Sequence, residues 1–263
     1  MKRTRVGSVE VVALVDCIES YDANMVYPDA AEAIAPLSGY LDSEGRVALN
    51  FGCFLLRDGG RTILVDTGWG PEHHGLLPDE LREAGVGLDD VDTVIFTHLH
   101  GDHTAWNLDR ATGKPMFLRA RYLVPRADWD HYSAAGSASF VRDVAPLERL
   151  GCLDLIDGER ALTPSLTTLP TPGHTPGHIS IVIASGGERG FILGDVVFSE
   201  VDAVLPDLLS TFDGDRELAR KTRRTILQRL VDDGSLVGAS HIRAPGLGHF
   251  VREGAGTRWR PLA

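Results

Sequence analysis

Thr97-His98-Leu99-His100-Gly101-Asp102-His103 puts three imidazoles and a carboxylate within six residues. With 10 His among 263 residues, a chance match to this spacing has odds of roughly one in a thousand. The stretch follows Val91-Asp92-Thr93-Val94-Ile95-Phe96, a nearly continuous apolar run between turn-forming residues, which predicts a buried strand. The donors therefore belong on a strand-to-helix loop. His98 and His100, two apart on extended backbone, can point the same way, and Gly101 lets the chain bend so that Asp102 and His103 face a neighbouring position. One loop then serves two metal positions.

A single loop cannot close two coordination shells, so further donors are expected downstream, and three stand out. His174 lies in Pro170-Thr171-Pro172-Gly173-His174-Thr175-Pro176-Gly177-His178, a stiff turn between apolar runs at 166–169 and 179–184. Asp195 ends the apolar stretch Phe191-Ile192-Leu193-Gly194, where an unpaired carboxylate is costly and a cation compensates its desolvation. His241 follows Leu236-Val237-Gly238-Ala239 and precedes a Pro-Gly turn, again at the end of a strand.

These residues resemble the metallo-β-lactamase-fold superfamily, whose hydrolases carry HxHxDH, a distant His, a bridging Asp and a final His. The resemblance extends to Leu64-Val65-Asp66-Thr67-Gly68, the Pro-Gly-His-Thr-Pro-Gly-His segment, Gly194-Asp195 and His241 through His249. It implies an α+β fold, a four-layer αββα sandwich of two mixed β-sheets flanked by helices. Carried over by position, His98, His100 and His174 hold one metal, Asp102, His103 and His241 the other, and Asp195 touches both. Asp66 is then implied to support the loop from behind, in keeping with the need of ligating histidines for an outer hydrogen-bond acceptor. The implied chemistry is attack by a metal-bridging hydroxide on an ester-type bond, with Asp102 orienting the nucleophile and shuttling its proton. Zinc suits a mostly imidazole donor set without thiolate, and iron, manganese or cobalt also fit a carboxylate bridge.

Within the superfamily, the chain is most similar to the methyl-parathion-hydrolase-like and lactonase-like branch. Acyl-homoserine lactonases carry a tyrosine three residues after the bridging Asp; here that position is Phe198. The expected activity is hydrolysis of a small-molecule carboxyl ester or lactone, with organophosphorus triesters as the alternative substrate. The alternative of another class is an iron-dependent oxidoreductase of the persulfide dioxygenase type.

Composition predicts one domain over 1–263, with 43% hydrophobic residues and no linker or charge block. A net charge of −11 argues against nucleic acid as partner, leaving small molecules. The Met1–Arg5 start is followed by too short an apolar run for a signal peptide or membrane span, so a cytoplasmic protein is expected. A homodimer is compatible with the resemblance. Cys17, Cys53 and Cys152, odd in number and widely spaced, predict buried thiols rather than disulfides.

A helix is predicted from about Asp215 to Asp233, with Leu218, Thr222, Ile226 and Leu230 four apart, Asp213 or Asp215 as cap and Gly234 as stop. Its arginines between 216 and 229 read as a solvated face. A second helical stretch is expected between Asp128 and Leu150, with Gly136 and Pro146 leaving its limits open. The 20–45 segment, with Tyr21, Met25, Tyr27 and Tyr40, is a candidate lid. Tyr27, Trp106 and Phe198 are candidate pocket residues. His73, His74 and His131 are expected at the surface, and His178 and His249 as outer hydrogen-bond partners of the site.

Overall fold

The computed structural model of the chain describes residues 1–254 and 256–263. Among the described residues, thirteen strands form two mixed sheets. The first holds β1 (Lys2–Val6), β2 (Val9–Tyr21), β3 (Val47–Asp58), β4 (Arg61–Val65), β5 (Thr93–Ile95), β6 (Arg121–Pro125) and β7 (Leu153–Ile156), in that spatial order. Pairing is antiparallel from β1 to β4 and parallel from β4 to β7. The second holds β8 (Leu166–Pro170), β9 (Ile179–Ser185), β10 (Glu188–Ile192), β11 (Leu236–Gly238), β12 (Leu247–Glu253) and β13 (Gly256–Pro261), in the order β13-β12-β11-β10-β9-β8. Only β10 and β11 run parallel there.

Alternation along the strands builds three apolar layers, since successive side chains face opposite sides of a sheet. Phe54 and Leu56 of β3, Ile63 and Val65 of β4, and Ile95 of β5 point between the sheets and meet Ile181, Ile183, Ile192 and Leu247 from the other side. Their neighbours Cys53, Leu55, Leu64, Val94 and Phe96 point outward to Leu77 and Leu81 of the helix Leu77–Glu83 and to Phe140 and Leu147. On the far side, Phe191, Leu193 and Val237 pack against Ile226, Leu227 and Leu230 of the helix Arg216–Asp233. The layers are thus helix, sheet, sheet, helix, as the resemblance implies.

The long helix starts and stops close to the expected residues. Asp215 is the cap, its carboxylate accepting from the Leu218 amide at 3.0 Å, and Gly234 ends the helix in the left-handed region at φ 61°. Asp213, the other candidate cap, is engaged elsewhere. The second helical stretch breaks after Gly136 and passes through Pro146 without a gap. Arg126–Ala135 closes on left-handed Gly136, and the chain resumes as wider-wound Phe140–Val144 before Ala145–Arg149, with Pro146 in its first turn. Among the described residues no helix is long and apolar enough to cross a membrane. All three cysteines are free, with Cys53 buried.

Candidate metal centre

Connections leaving one rim of both sheets carry the candidate donors. Asp66 follows β4, His98 and His100 follow β5, and His174 lies between β8 and β9. Asp195 follows β10 and His241 follows β11. The structure brings these connections together in two adjacent groups. In one, a nitrogen from each of His98, His100 and His174 lies within 4.8 Å of the others; in the second, Asp102, His103, Asp195 and His241 meet the same limit. Asp102 and His103 reach the second group because a helical turn, Gly101–Thr104, begins directly after His100.

Outer hydrogen bonds dictate what the rings present inward. His174 Nδ1 faces Asp213 Oδ1 at 3.1 Å, His103 Nδ1 faces Asp66 Oδ2 at 2.9 Å, and His241 Nδ1 faces the Asn50 carbonyl at 2.8 Å. All three partners accept, so these Nδ1 atoms carry the proton and each Nε2 offers a lone pair. Thr97 Oγ1 donates to Asp66 Oδ2 at 2.8 Å and therefore accepts from His98 Nδ1 at 3.1 Å, which fixes His98 the same way.

Inward lone pairs consequently confront one another. His98 Nε2 and His174 Nε2 stand 3.2 Å apart, and His100 Nδ1 lies 3.0 Å from the first and 2.8 Å from the second. His241 Nε2 and His103 Nε2 face the two Asp195 oxygens at 3.0 and 3.2 Å. His103 Nε2 and Asp195 Oδ1 are buried without a hydrogen-bond partner. Lone pairs and carboxylate oxygens crowded this closely repel unless a cation or proton sits among them, so the donor set fits two divalent cations.

The electrostatics agree. Burial and the neighbouring imidazoles push His98 well down and His100 down to about 4, which leaves both free as neutral ligands. Burial also disfavours charge on His103 and His241, but the carboxylates, Asp195 foremost, outweigh it and push both upward, the direction in which a proton on Nε2 stands in for a cation between ring and carboxylate. Burial alone raises carboxyls. For Asp195 and Asp102 the facing imidazoles more than offset it, His241 first for Asp195 and His103 first for Asp102, and both are held below the usual range.

Asp66 lies behind the histidine loop. It takes the left-handed region at φ 62°, unusual for a residue with a Cβ, and its Oδ1 accepts from the Thr97 amide at 2.8 Å. His178 is not among the grouped donors; its Nε2 accepts from the Asp195 amide at 2.9 Å while Nδ1 meets Thr171 Oγ1 at 2.9 Å. Gly194, at φ 58°, allows this approach, because a Cβ there comes within 2.7 Å of His178 Nε2 and of Thr97.

Above the second group lies a cavity of about 500 Å³ with Tyr21, Phe51, Trp69, Phe198 and Phe212 in its walls and Asp102, Asp195 and His241 at its floor. Phe198 lines this cavity, its ring 5.4 Å from that of His174 and 6.0 Å from that of His241. Tyr27 and Trp106 are not pocket residues. Tyr27 is fully buried, its hydroxyl 2.8 Å from Asp202 Oδ2 and 3.0 Å from Ser199 Oγ, because the 23–41 segment turns it into the core. Trp106 donates its indole N–H to Asp16 Oδ1 at 2.8 Å and packs in the outer layer of the first sheet. His249 is no outer partner of the site either. It sits on β12, its Nδ1 2.9 Å from the Ser235 carbonyl, on a strand that runs away from the rim.

A sequence model of the metallo-β-lactamase superfamily matches residues 53–241 of the chain. The chain belongs to that superfamily. An N-acyl homoserine lactonase of Bacillus sp is 31% identical over 154 residues, 50% of this chain and 57% of the relative; the match thus spans little more than half of that relative. Among solved structures, the hydrolase AbOPH superposes with a TM-score of 0.88 at 24% identity, covering 99% of this chain and 97% of its own. AidC, a dizinc quorum-quenching lactonase in complex with a product, superposes with a TM-score of 0.87 at 23% identity, covering 100% and 97%. At these identities the two structures speak to fold.

Three buried charges that frame this metallo-β-lactamase site were not singled out from sequence. Asp16, at a bulge in β2, accepts from the amides of Trp69, Gly70 and Leu77 at 2.7, 3.0 and 2.9 Å and holds the loop after Asp66. Asp128 accepts from the Leu99 amide at 3.1 Å, Thr175 Oγ1 at 2.8 Å and the Gly177 amide at 2.6 Å, tying the histidine loop to the His174 turn. The third is Arg223, and it corrects the reading of the helix arginines as a solvated face. Its guanidinium is buried, with Nε on the Val196 carbonyl at 3.0 Å, Nη1 on the Leu208 carbonyl at 2.6 Å and Nη2 on Asp213 Oδ2 at 3.2 Å. A lone Asp in the apolar run Val11–Cys17 was the available signal for Asp16; Arg223 differs from its neighbours only by facing inward.

Proposed function

We propose that the chain, with residues 1–263 acting as one domain, is a binuclear metal-dependent hydrolase of a small-molecule carboxyl ester or lactone. The observation that carries this reading is the convergence of inward lone pairs and carboxylates at the floor of an aromatic-walled cavity. His98, His100 and His174 would hold one cation, Asp102, His103 and His241 the other, and Asp195 would bridge. Zinc is the favoured metal for this imidazole-rich set. When bound, such a pair supplies Lewis acidity and a water ionised near neutral pH. The lactonase relatives support an ester-type bond as substrate.

The chain's own groups have definite tasks in this scheme. Asp102 lies at the cavity floor with 21% of its side chain exposed, and its carboxylate, held ionised, would accept a hydrogen bond from the attacking water. The aromatic walls exclude bulk solvent and take the apolar part of the ester. The fixed Nδ1 partners keep the His103, His174 and His241 rings aimed inward, so little reorganisation is needed during turnover.

Elemental analysis and a substrate screen test the proposal together. The metal-reconstituted protein is expected to carry two divalent ions per chain and to cleave lactones and aryl esters faster than thioesters, phosphotriesters or β-lactams. One iron per chain with oxygen consumption and no ester turnover overturns it.

Phe198 provides a narrower check. The position is tyrosine in the lactonases that the sequence resembles, and here the missing hydroxyl removes one contact able to polarise a substrate carbonyl. Phe198→Tyr is expected to raise kcat/KM for lactones relative to aryl esters by about tenfold, the order contributed by one added hydrogen bond in a dry site. An unchanged ratio removes Phe198 from the account of specificity.

A further inference from the structure

A second cavity of about 440 Å³ adjoins the first. The two share His100 and Phe212 as common walls. Beyond that partition they differ: Asp102, Asp195 and His241 border only the first, while His174 borders only the second. The two donor groups thus look into different compartments, and a molecule seated over both has an arm in each.

The second compartment has a different chemical character. Several of its polar side chains are already engaged: Asp213 with His174 and Arg223, Asp215 in capping the long helix, Thr175 with Asp128 and Thr211 with the Met25 carbonyl. His131 and Tyr132 differ, for their side-chain polar atoms enter no hydrogen bond among the described residues. Their rings lie 4.9 Å apart, and the Tyr132 ring stands edge-on to His100 at 5.8 Å. An imidazole and a phenol, free to donate and accept, suit hydroxyl groups. The carboxylates of Asp213 and Asp215 in the same wall disfavour an anionic arm.

We infer that this compartment is a second substrate subsite, which receives a short hydroxylated, uncharged arm of an ester whose apolar arm lies in the aromatic cavity. The inference rests on the hydrolase reading for its ester and on the shared His100–Phe212 partition for its geometry. A three-carbon polyol fits easily in 440 Å³, given that a liquid water occupies about 30 Å³. Leu218, 38% exposed in the first turn of the long helix, borders this cavity and not the first, so it can be enlarged without touching the donors.

The test compares 2,3-dihydroxypropyl phenylacetate with methyl phenylacetate, in the metal-loaded protein and in two variants, Leu218→Trp and Tyr132→Phe. The native chain is expected to show a KM about fivefold lower for the dihydroxypropyl ester, the scale of one or two neutral hydrogen bonds. Both variants should erase that preference while leaving metal content and the kinetics of the methyl ester within about twofold. Equal KM values in the native chain, or variants that alter both esters alike, overturn the subsite. If neither ester is cleaved, the screen of lactones and aryl esters decides the hydrolase reading separately, and calorimetric binding of the same esters decides the subsite. Tighter binding of the dihydroxypropyl ester that Leu218→Trp abolishes supports it, and equal binding overturns it.

Discussion

Replacing Asp195 by asparagine is expected to lower turnover by about a hundredfold or more and to reduce bound metal below two ions per chain. The carboxylate has an imidazole nitrogen within 3.3 Å on three sides, from His241, His103 and His174. Asparagine keeps the shape and one carbonyl oxygen but removes the negative charge that a bridging position requires. Its amide hydrogens can also donate into the inward lone pairs, which stabilises the metal-free arrangement and widens the gap. The fold should therefore persist while the site empties, a combination that circular dichroism with elemental analysis separates from general unfolding. Native metal content with full ester turnover contradicts the bridging assignment.

Arg223→Met is expected to cost about 3–5 kcal/mol of stability, the usual penalty for breaking a buried ion pair from one side. Burial disfavours charge on Arg223, and Asp202 and Asp213 more than compensate, holding the guanidinium firmly protonated. Methionine fills much of the volume but leaves Asp202 and Asp213 without their cation and the Val196 and Leu208 carbonyls without a donor. The denaturant midpoint should fall accordingly, read at unchanged slope. A loss below about 1 kcal/mol means that water or rearrangement replaces the arginine, and the guanidinium is then no organising element. Because Asp213 also orients His174, metal affinity should weaken in the same variant.

The donors were legible because their chemistry is local. Three histidines and an aspartate after an apolar strand have few structural uses, and the strand-end positions of Asp195 and His241 follow from the apolar runs before them. The long helix was equally readable from its period and its Asp215 and Gly234 signals. Side chains whose roles depend on which way they turn were not. Tyr27 sits in a segment with other aromatics, yet only the packing under residues 23–41 buries it and leaves Tyr21 in the cavity wall. Arg223 lies among arginines of the same helix, and its inward orientation is set by contacts with Val196, Leu208 and Asp213, far away in sequence or across a loop. Tertiary partners of this kind leave no periodic trace.

The candidate donors hang from connections of both sheets, with His98, His100, Asp102 and His103 attached to the first and His174, Asp195 and His241 to the second. Any ion held between them is therefore also a clasp, fastening the N-terminal half of the chain to the C-terminal half at one edge of the sandwich. Part of the free energy of loading becomes cohesion between the halves. On the proposed reading, chelation should lower stability along that edge as well as turnover, without dissolving the fold.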